Sequence, residues 1–258
     1  MSSYLAYSGT GMDQIDPFEA RDSNIWRKAE YLGRYLFAAD YLRPHKPRRV
    51  ADISCGLGYG AAELGSIAGE VIGVDNSRAL MQKAAERCSQ PGVRFLHKDL
   101  ENEDLCQDIQ EGSLDAVVSF ETLEHLLDPD HAVEQFSRML RPEGSFICSV
   151  PNKLSESGDH AGLPRNKSHK QWFTFASLRR MVERHDMQVT IRLGQSWSRA
   201  LFRREQQLLN AKRIRRKLSD EPGMHSREMI RYLSYIAAYP SVEDVDGSYS
   251  IIIIAQKT

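Results

Sequence analysis

A glycine-rich turn, three carboxylates and a Glu-x-x-Glu-His run are the residues whose types and spacing can do chemistry in this chain. Gly56-Leu57-Gly58-Tyr59-Gly60 follows a β-branched run and opens a helical one. Glycines at such a turn let the backbone approach a ligand closely, with the N–H groups of the helix facing it. Asp75 ends the next apolar run, 19 residues after Gly56, where a carboxylate can accept both hydroxyls of a ribose. Asp99 ends the third run, where its carboxylate or the N–H of Leu100 can hold an adenine edge. Asp52 lies inside the first run, just before the turn. Its burial is costly without a partner, and a ligand ammonium would supply one. Each acid alone reads equally well as a turn or cap residue. Three of them at successive run ends, beside one glycine turn, point to a nucleoside-bearing cofactor. Gly56-x-Gly58-x-x-Ala61 also fits the dinucleotide fingerprint, so an NAD-dependent oxidoreductase stays open on the turn alone.

The fourth β-branched run ends in Phe120-Glu121-Thr122-Leu123-Glu124-His125. If Glu121 begins a helix, Glu121, Glu124 and His125 stand at i, i+3 and i+4 and share a face. Two carboxylates and an imidazole suit Mg²⁺ or Mn²⁺, or zinc. The following polar loop offers His169, in NKSHKQWFTF, as a further ligand, with His160 as the second choice. The same spacing also describes a solvated helix face.

These residues need a scaffold, and the hydrophobic pattern supplies one. Strands are predicted at Arg49–Ser54, Glu70–Asp75, Val93–His97, Leu114–Phe120 and Ser145–Val150, with helices at Gly60–Ile67, Ser77–Cys88, Asp104–Ile109 and Pro129–Leu140. Such alternation implies a parallel sheet with right-handed crossovers. A helix over residues 22–43 precedes it, with Asp22 or Ser23 as its N-cap, and Pro44 and Pro47 end it. After Pro151 a polar loop leads to a helix at Phe175–His185, a strand at Met187–Leu193, a helical stretch over 196–239 and a last strand at Tyr249–Ala255. The expectation is one domain over 1–258. It has an N-terminal arm and helix (1–45) and a helical insertion or lid (194–246) before the last strand.

With 258 residues, 41% hydrophobic and 27% charged, the chain is long enough for one well-packed α/β domain. A net charge of −1 gives no global pull toward nucleic acid or membrane. No apolar run approaches the roughly 20 residues of a membrane span, and residues 1–14 lack the pattern of a secretory signal. A cytoplasmic protein is expected. Cys55, Cys88, Cys106 and Cys148 show no paired spacing and read as reduced thiols. Locally, Arg199, Arg203, Arg204, Lys212, Arg213, Arg215, Arg216 and Lys217 face a single acid, Glu205. That stretch is a solvated helix face or a groove for an anionic acceptor. Its apolar residues, from Leu201 to Leu218, can pack on the domain or form a homodimer seam. Trp172, Phe173 and Trp197 are candidates to line an acceptor pocket.

VADISCGLGYG, VIGVDNS, HKDLENEDL, LDAVVSFETLEHL and LRPEGSFICSVPN together resemble the successive motifs of class I S-adenosylmethionine-dependent methyltransferases, over residues 49–152. The resemblance implies a Rossmann-like, doubly wound seven-stranded sheet of order 3-2-1-4-5-7-6 with the last strand antiparallel. It implies that Asp52, Ser54, Gly56 and Gly58 hold the methionine part of S-adenosylmethionine, that Asp75 and Asn76 take the ribose, and that Asp99 and Leu100 take the adenine, with Phe120 completing the set. EYLGRYLFAADYL is similar to a helix of methyltransferases associated with glycosyltransferase clusters, which carry a histidine where this chain has Tyr31. Glu121, Glu124, His125 and His169 resemble the metal set of small-RNA 2'-O-methyltransferases and of catechol-like quinone O-methyltransferases.

Methyl transfer from a sulfonium is an in-line displacement, so positioning is a major term. A divalent cation, Mg²⁺ first, chelated by two adjacent hydroxyls would lower the pKa of the acceptor, and His125 could take the proton. The expectation is a sugar or oligosaccharide O-methyltransferase. The alternatives are RNA ribose 2'-O-methylation, a quinone or natural-product acceptor, the oxidoreductase above, and a silent binding protein of the same fold. Against nucleic acid stands the lack of a recognisable RNA-binding module.

Overall fold

A computed structural model of the chain describes residues 16–19, 24–155, 164, 166–196, 218, 220–242 and 245–258. The first helix, α1 (Ile25–Leu42), is capped by Asn24, whose side chain accepts from Arg27 N at 3.2 Å. The expected caps, Asp22 and Ser23, lie outside the described residues, and Asn24 performs the role instead. Pro44 falls in a 3₁₀ turn at Arg43–His45 that ends the helix before Lys46 takes φ 49°.

The chain then alternates as its apolar pattern requires. The elements are β1 (Arg49–Ile53), α2 (Tyr59–Gly65), β2 (Glu70–Asp75), α3 (Arg78–Arg87), β3 (Val93–His97), β4 (Leu114–Phe120), α4 (Pro129–Met139) and β5 (Leu140–Pro151). Then come α5 (Phe175–Glu183), β6 (Met187–Gln195), α6 (Arg227–Ala237) and β7 (Ser250–Lys257). The sheet order is β3-β2-β1-β4-β5-β7-β6, with β7 antiparallel to both of its neighbours. This is the expected seven-stranded doubly wound sheet. Its central strands are apolar on both faces because helices cover both. One core lies under α4 and α5, around Phe136, Phe146 and Met181. The other lies under α1 and α2, around Tyr35, Leu64 and Val118.

Three expectations need correction. Asp104–Ile109 forms only a 3₁₀ turn at Leu105–Gln107, with Asp104 capping the N–H of Cys106. Six residues are too few to recover the cost of nucleating a helix. Strand β5 begins at Leu140 rather than Ser145, because Leu140 pairs with Leu114 across a bulge. Phe173 is part of the main core, not of an acceptor pocket.

Within the expected insertion, α6 packs on α1 through Ile230, Leu233 and Ala238 against Ile25, Leu32 and Leu36. Gly33 permits that approach, since a Cβ there would lie 2.7 Å from the Ala238 carbonyl oxygen. The basic stretch from Arg199 to Lys217, Trp197 and His160 lie outside the described residues. Among the described residues no helix is long and apolar enough to cross a membrane. The four cysteines are free thiols, Cys55 and Cys148 being buried.

Candidate active site

The donor end lies at the carboxyl ends of β1, β2 and β3, where ligands bind in open α/β sheets. The chain leaves β1 through left-handed backbone at Ser54 (φ 61°), Gly56 (φ 55°) and Gly58 (φ 77°). A Cβ on Gly58 would meet the Phe95 ring at 2.7 Å, whereas one on Gly56 would enter open space. Gly58 is therefore required by packing beneath the turn, and Gly56 borders open space. Asp75 accepts from Gly56 N at 3.0 Å and from Ser77 N at 2.9 Å, so the acid and the turn are brought together. The backbone carbonyl of Asn76 lies 3.0 Å from His97 Nε2. Asp99 accepts from Glu101 N and Asn102 Nδ2, at 3.0 and 2.7 Å, and Leu100 is buried beside it. Phe120, at the end of β4, is also buried.

Asp52 is fully buried, as its place inside the first strand implied, and has a protein partner that was not expected. Its partner is the hydroxyl of Tyr35, which donates to Oδ1 at 2.9 Å. Burial pushes its carboxyl up to about 7, although Tyr35 pulls the value back.

The second cluster follows β4. Glu124, His125 and His169 each place a ligand atom within 4.8 Å of the others. The backbone makes this possible: Lys170 N and Gln171 N both donate to the Glu124 carbonyl oxygen, at 2.6 and 3.0 Å, pinning the loop that carries His169. His125 Nδ1 lies 3.1 Å from the Ser168 carbonyl oxygen. A ring nitrogen donating to that carbonyl leaves Nε2, on the Glu124 side, as the lone-pair nitrogen. Burial holds His125 below its ordinary pKa, the nearby Ser168 carbonyl opposing and His169 adding to the effect, which favours the neutral imidazole.

The shared helix face was a misreading, and Glu121 is not in this group. Residue 121 takes φ 51°, and only Leu123–His125 turn, as a 3₁₀ segment. Glu121 Oε1 accepts instead from Ser149 Oγ at 2.7 Å and Ser250 Oγ at 3.1 Å, with Arg34 Nη1 at 3.5 Å.

Arg34 belongs to a buried network that the sequence reading missed. It donates to Gln195 Oε1 at 3.0 Å and stacks over Tyr31 at 5.0 Å. Burial opposes its charge, and Glu121 together with Tyr249, Tyr31 and Tyr59 more than offsets this, raising its pKa. Gln195 Nε2 in turn donates to the carbonyls of Glu30 and Ala238. Glu30, desolvated on α1, is raised to about 7, with Arg34 and Arg27 opposing the rise. The available signal was an arginine inside the otherwise apolar run LGRYLF, where a lone buried cation demands a carboxylate.

Residues 51–148 match the family described as "Methyltransferase domain". A probable S-adenosylmethionine-dependent methyltransferase of Mycolicibacterium smegmatis is 34% identical over 147 residues, which cover 57% of this chain and 54% of that protein. A ubiquinone biosynthesis O-methyltransferase of Alkalilimnicola ehrlichii is 33% identical over 124 residues, covering 48% of this chain and 50% of that protein. The chain thus spans about half the length of these curated relatives. The magnesium protoporphyrin IX methyltransferase of Synechocystis shares the fold with a TM-score of 0.58 at 14% identity, covering 94% of this chain and 91% of that one. Residues 51–148 are therefore a methyltransferase domain of the class I, S-adenosylmethionine-dependent kind, built on a Rossmann-like sheet.

Proposed function

We propose that the chain transfers a methyl group from S-adenosylmethionine to one of two adjacent hydroxyls, those of a sugar or oligosaccharide, with a divalent cation at Glu124, His125 and His169. The carrying observation is the convergence of these three side chains at the carboxyl edge of the same sheet whose donor turn faces Asp75. The donor set fits its cofactor: Gly56 opens onto free space, and the Asp75 carboxylate stands at the turn for a ribose. With Glu121 outside the group, one carboxylate and two imidazoles fit a borderline divalent ion better than the oxygen-seeking Mg²⁺ expected from the sequence.

S-adenosylmethionine, when bound, would supply an electrophilic methyl group for transfer to the acceptor oxygen. A bound cation supplies charge stabilisation to the acceptor oxygens. The residues of the chain supply the rest. Asp75 and the turn orient the donor, and positioning accounts for much of the rate. Neutral His125 has one lone-pair nitrogen, Nε2, so it serves as a ligand where the cation is bound and can take the acceptor's proton only where the cation is held without it. Glu121, held on one oxygen by Ser149 and Ser250, lies beside Arg34 and so ties the end of β4 to α1.

A quinone-type acceptor is the second reading, favoured by the relatives named as ubiquinone biosynthesis O-methyltransferases. RNA ribose is a third. A screen with labelled methyl donor, using mono- and oligosaccharides, catechols and short RNAs with and without chelator, separates them. Label entering only catechols or only RNA overturns the sugar assignment, and rates indifferent to chelator remove the cation. Binding of NAD but not of S-adenosylhomocysteine would overturn the donor.

A further inference from the structure

Asp52 lies beneath the Gly56–Gly60 turn and reaches no solvent. Its Oδ2 has no hydrogen-bond partner among the described residues. Its Oδ1 is held from outside the sheet, by Tyr35 of α1. The Tyr35 ring packs edge-on against Tyr59 and Phe120, with centroids 5.3 and 5.1 Å away. It also fills the space under Gly60, where a Cβ would stand 2.1 Å from the ring. Phe95 does the same under Gly58. The glycines of the turn have no side chains of their own to locate them. Alongside the packing of Leu57 and Tyr59, their position is set by what lies beneath, one ring from β3 and one from α1.

We propose that Tyr35 is a positioning residue of the donor site, its hydroxyl fixing Asp52 and its ring bracing the turn, so that capture of S-adenosylmethionine depends on α1 being docked. This rests on the donor reading and extends it to an element that precedes every motif of the methyltransferase domain.

The groups facing Asp52 are Tyr35 from α1, Tyr59 from α2, Cys55 from the turn and Asp75 from β2. From β4 its register partner is Val118. None of these is a cation, so the carboxylate gains most from a cationic ligand. Burial raises its pKa to about 7, the Tyr35 hydrogen bond opposes that rise, and Asp75 adds to it. Affinity for a cationic ligand that requires ionised Asp52 therefore climbs as the pH rises through about 7. Loss of the Tyr35 hydroxyl moves that step to higher pH.

Calorimetry of the full chain with S-adenosylhomocysteine, from about pH 5 to about pH 8, tests this on wild type, Tyr35→Phe, Asp52→Asn and the double variant. The expected result for Tyr35→Phe is binding weaker by on the order of tenfold at neutral pH, with the pH step displaced upward. Asp52→Asn should flatten the step, and Tyr35→Phe should then add no further pH dependence. A Tyr35→Phe profile that superimposes on wild type overturns the proposal, as does a step that survives Asp52→Asn. The second arm decides alone if Tyr35→Phe does not fold. Wild type that binds no S-adenosylhomocysteine at any pH overturns the donor reading and, with it, the proposal.

Discussion

The two ends of the carboxyl edge are assembled over different distances along the chain. At the donor end, Asp75 is joined to residues 19 and 2 positions away, and its donors are backbone N–H groups. Around β4, His125 reaches a carbonyl 43 positions on. Glu121 reaches Ser250 across 129 positions, and Arg34 reaches Gln195 across 161. The Asp75 side of the donor end is thus a property of one strand–turn–helix unit and its neighbour, and only its Asp52 side reaches out to α1. The cluster around β4, the proposed acceptor end, forms only when α1, the loop after β5 and the C-terminal strands have all docked. Changes after Pro151 should alter the acceptor chemistry and leave donor binding intact, while changes in the turn should abolish both.

The largest effect that would sharpen this contrast is expected from Glu124→Ala. Steady-state rates should fall on the order of 10³-fold, with S-adenosylhomocysteine affinity unchanged by calorimetry. A parallel loss of donor affinity would break the contrast. Next comes Gly58→Ala, which forces a Cβ against Phe95 in left-handed backbone. Destabilisation on the order of 3 kcal/mol is expected, with donor binding lost, read by thermal melting and calorimetry. Arg34→Met strips the partner from Glu121 and should cost about 2–3 kcal/mol in denaturant unfolding, Glu121 being partly exposed. Donor affinity should change little. The smallest is Arg179→Ala on the outer face of α5, which breaks an exposed pair with Glu183. A change within about 0.5 kcal/mol is expected, and it should shrink further in salt.

The pH dependence of stability follows from the buried acids. Asp52 and Glu30 are both raised to about 7 by burial, above their ordinary values of 3.8 and 4.5. The folded chain therefore holds more protons than the unfolded one between those values and about 7. Their contribution is fully present below the ordinary values and is lost as the pH rises through about 7. Asp52→Asn should flatten this decline in melting curves run across that window. A decline of undiminished slope would show that Asp52 is not its source.

The strands around the donor end were legible because their signals are local. Glu70–Asp75, Val93–His97 and Leu114–Phe120 have the predicted bounds, since each β-branched or apolar run ends where a polar turn begins. The metal candidates were legible in part. Glu124, His125 and His169 converge as their residue types suggested, but Glu121 was placed with them by a helix period that the backbone does not follow. A left-handed residue at a strand end leaves no mark in the sequence when it is not glycine. Tyr35 was read only as part of an apolar helix face, because its hydroxyl matters through a residue 17 positions away on another element.

The sequence by itself determined the alternation of strands and helices, the sheet order by resemblance, the glycine turn and its acid at Asp75. These depend on hydrophobic period, backbone freedom and contacts between neighbours along the chain. Only the tertiary structure decided that one oxygen of Asp52 is held by Tyr35, that Arg34 is the partner of Glu121, and that His169 returns to Glu124. Those pairings arise from desolvation, since a buried charge or hydroxyl must find a partner wherever packing brings one. Which partner that is depends on how the whole chain closes.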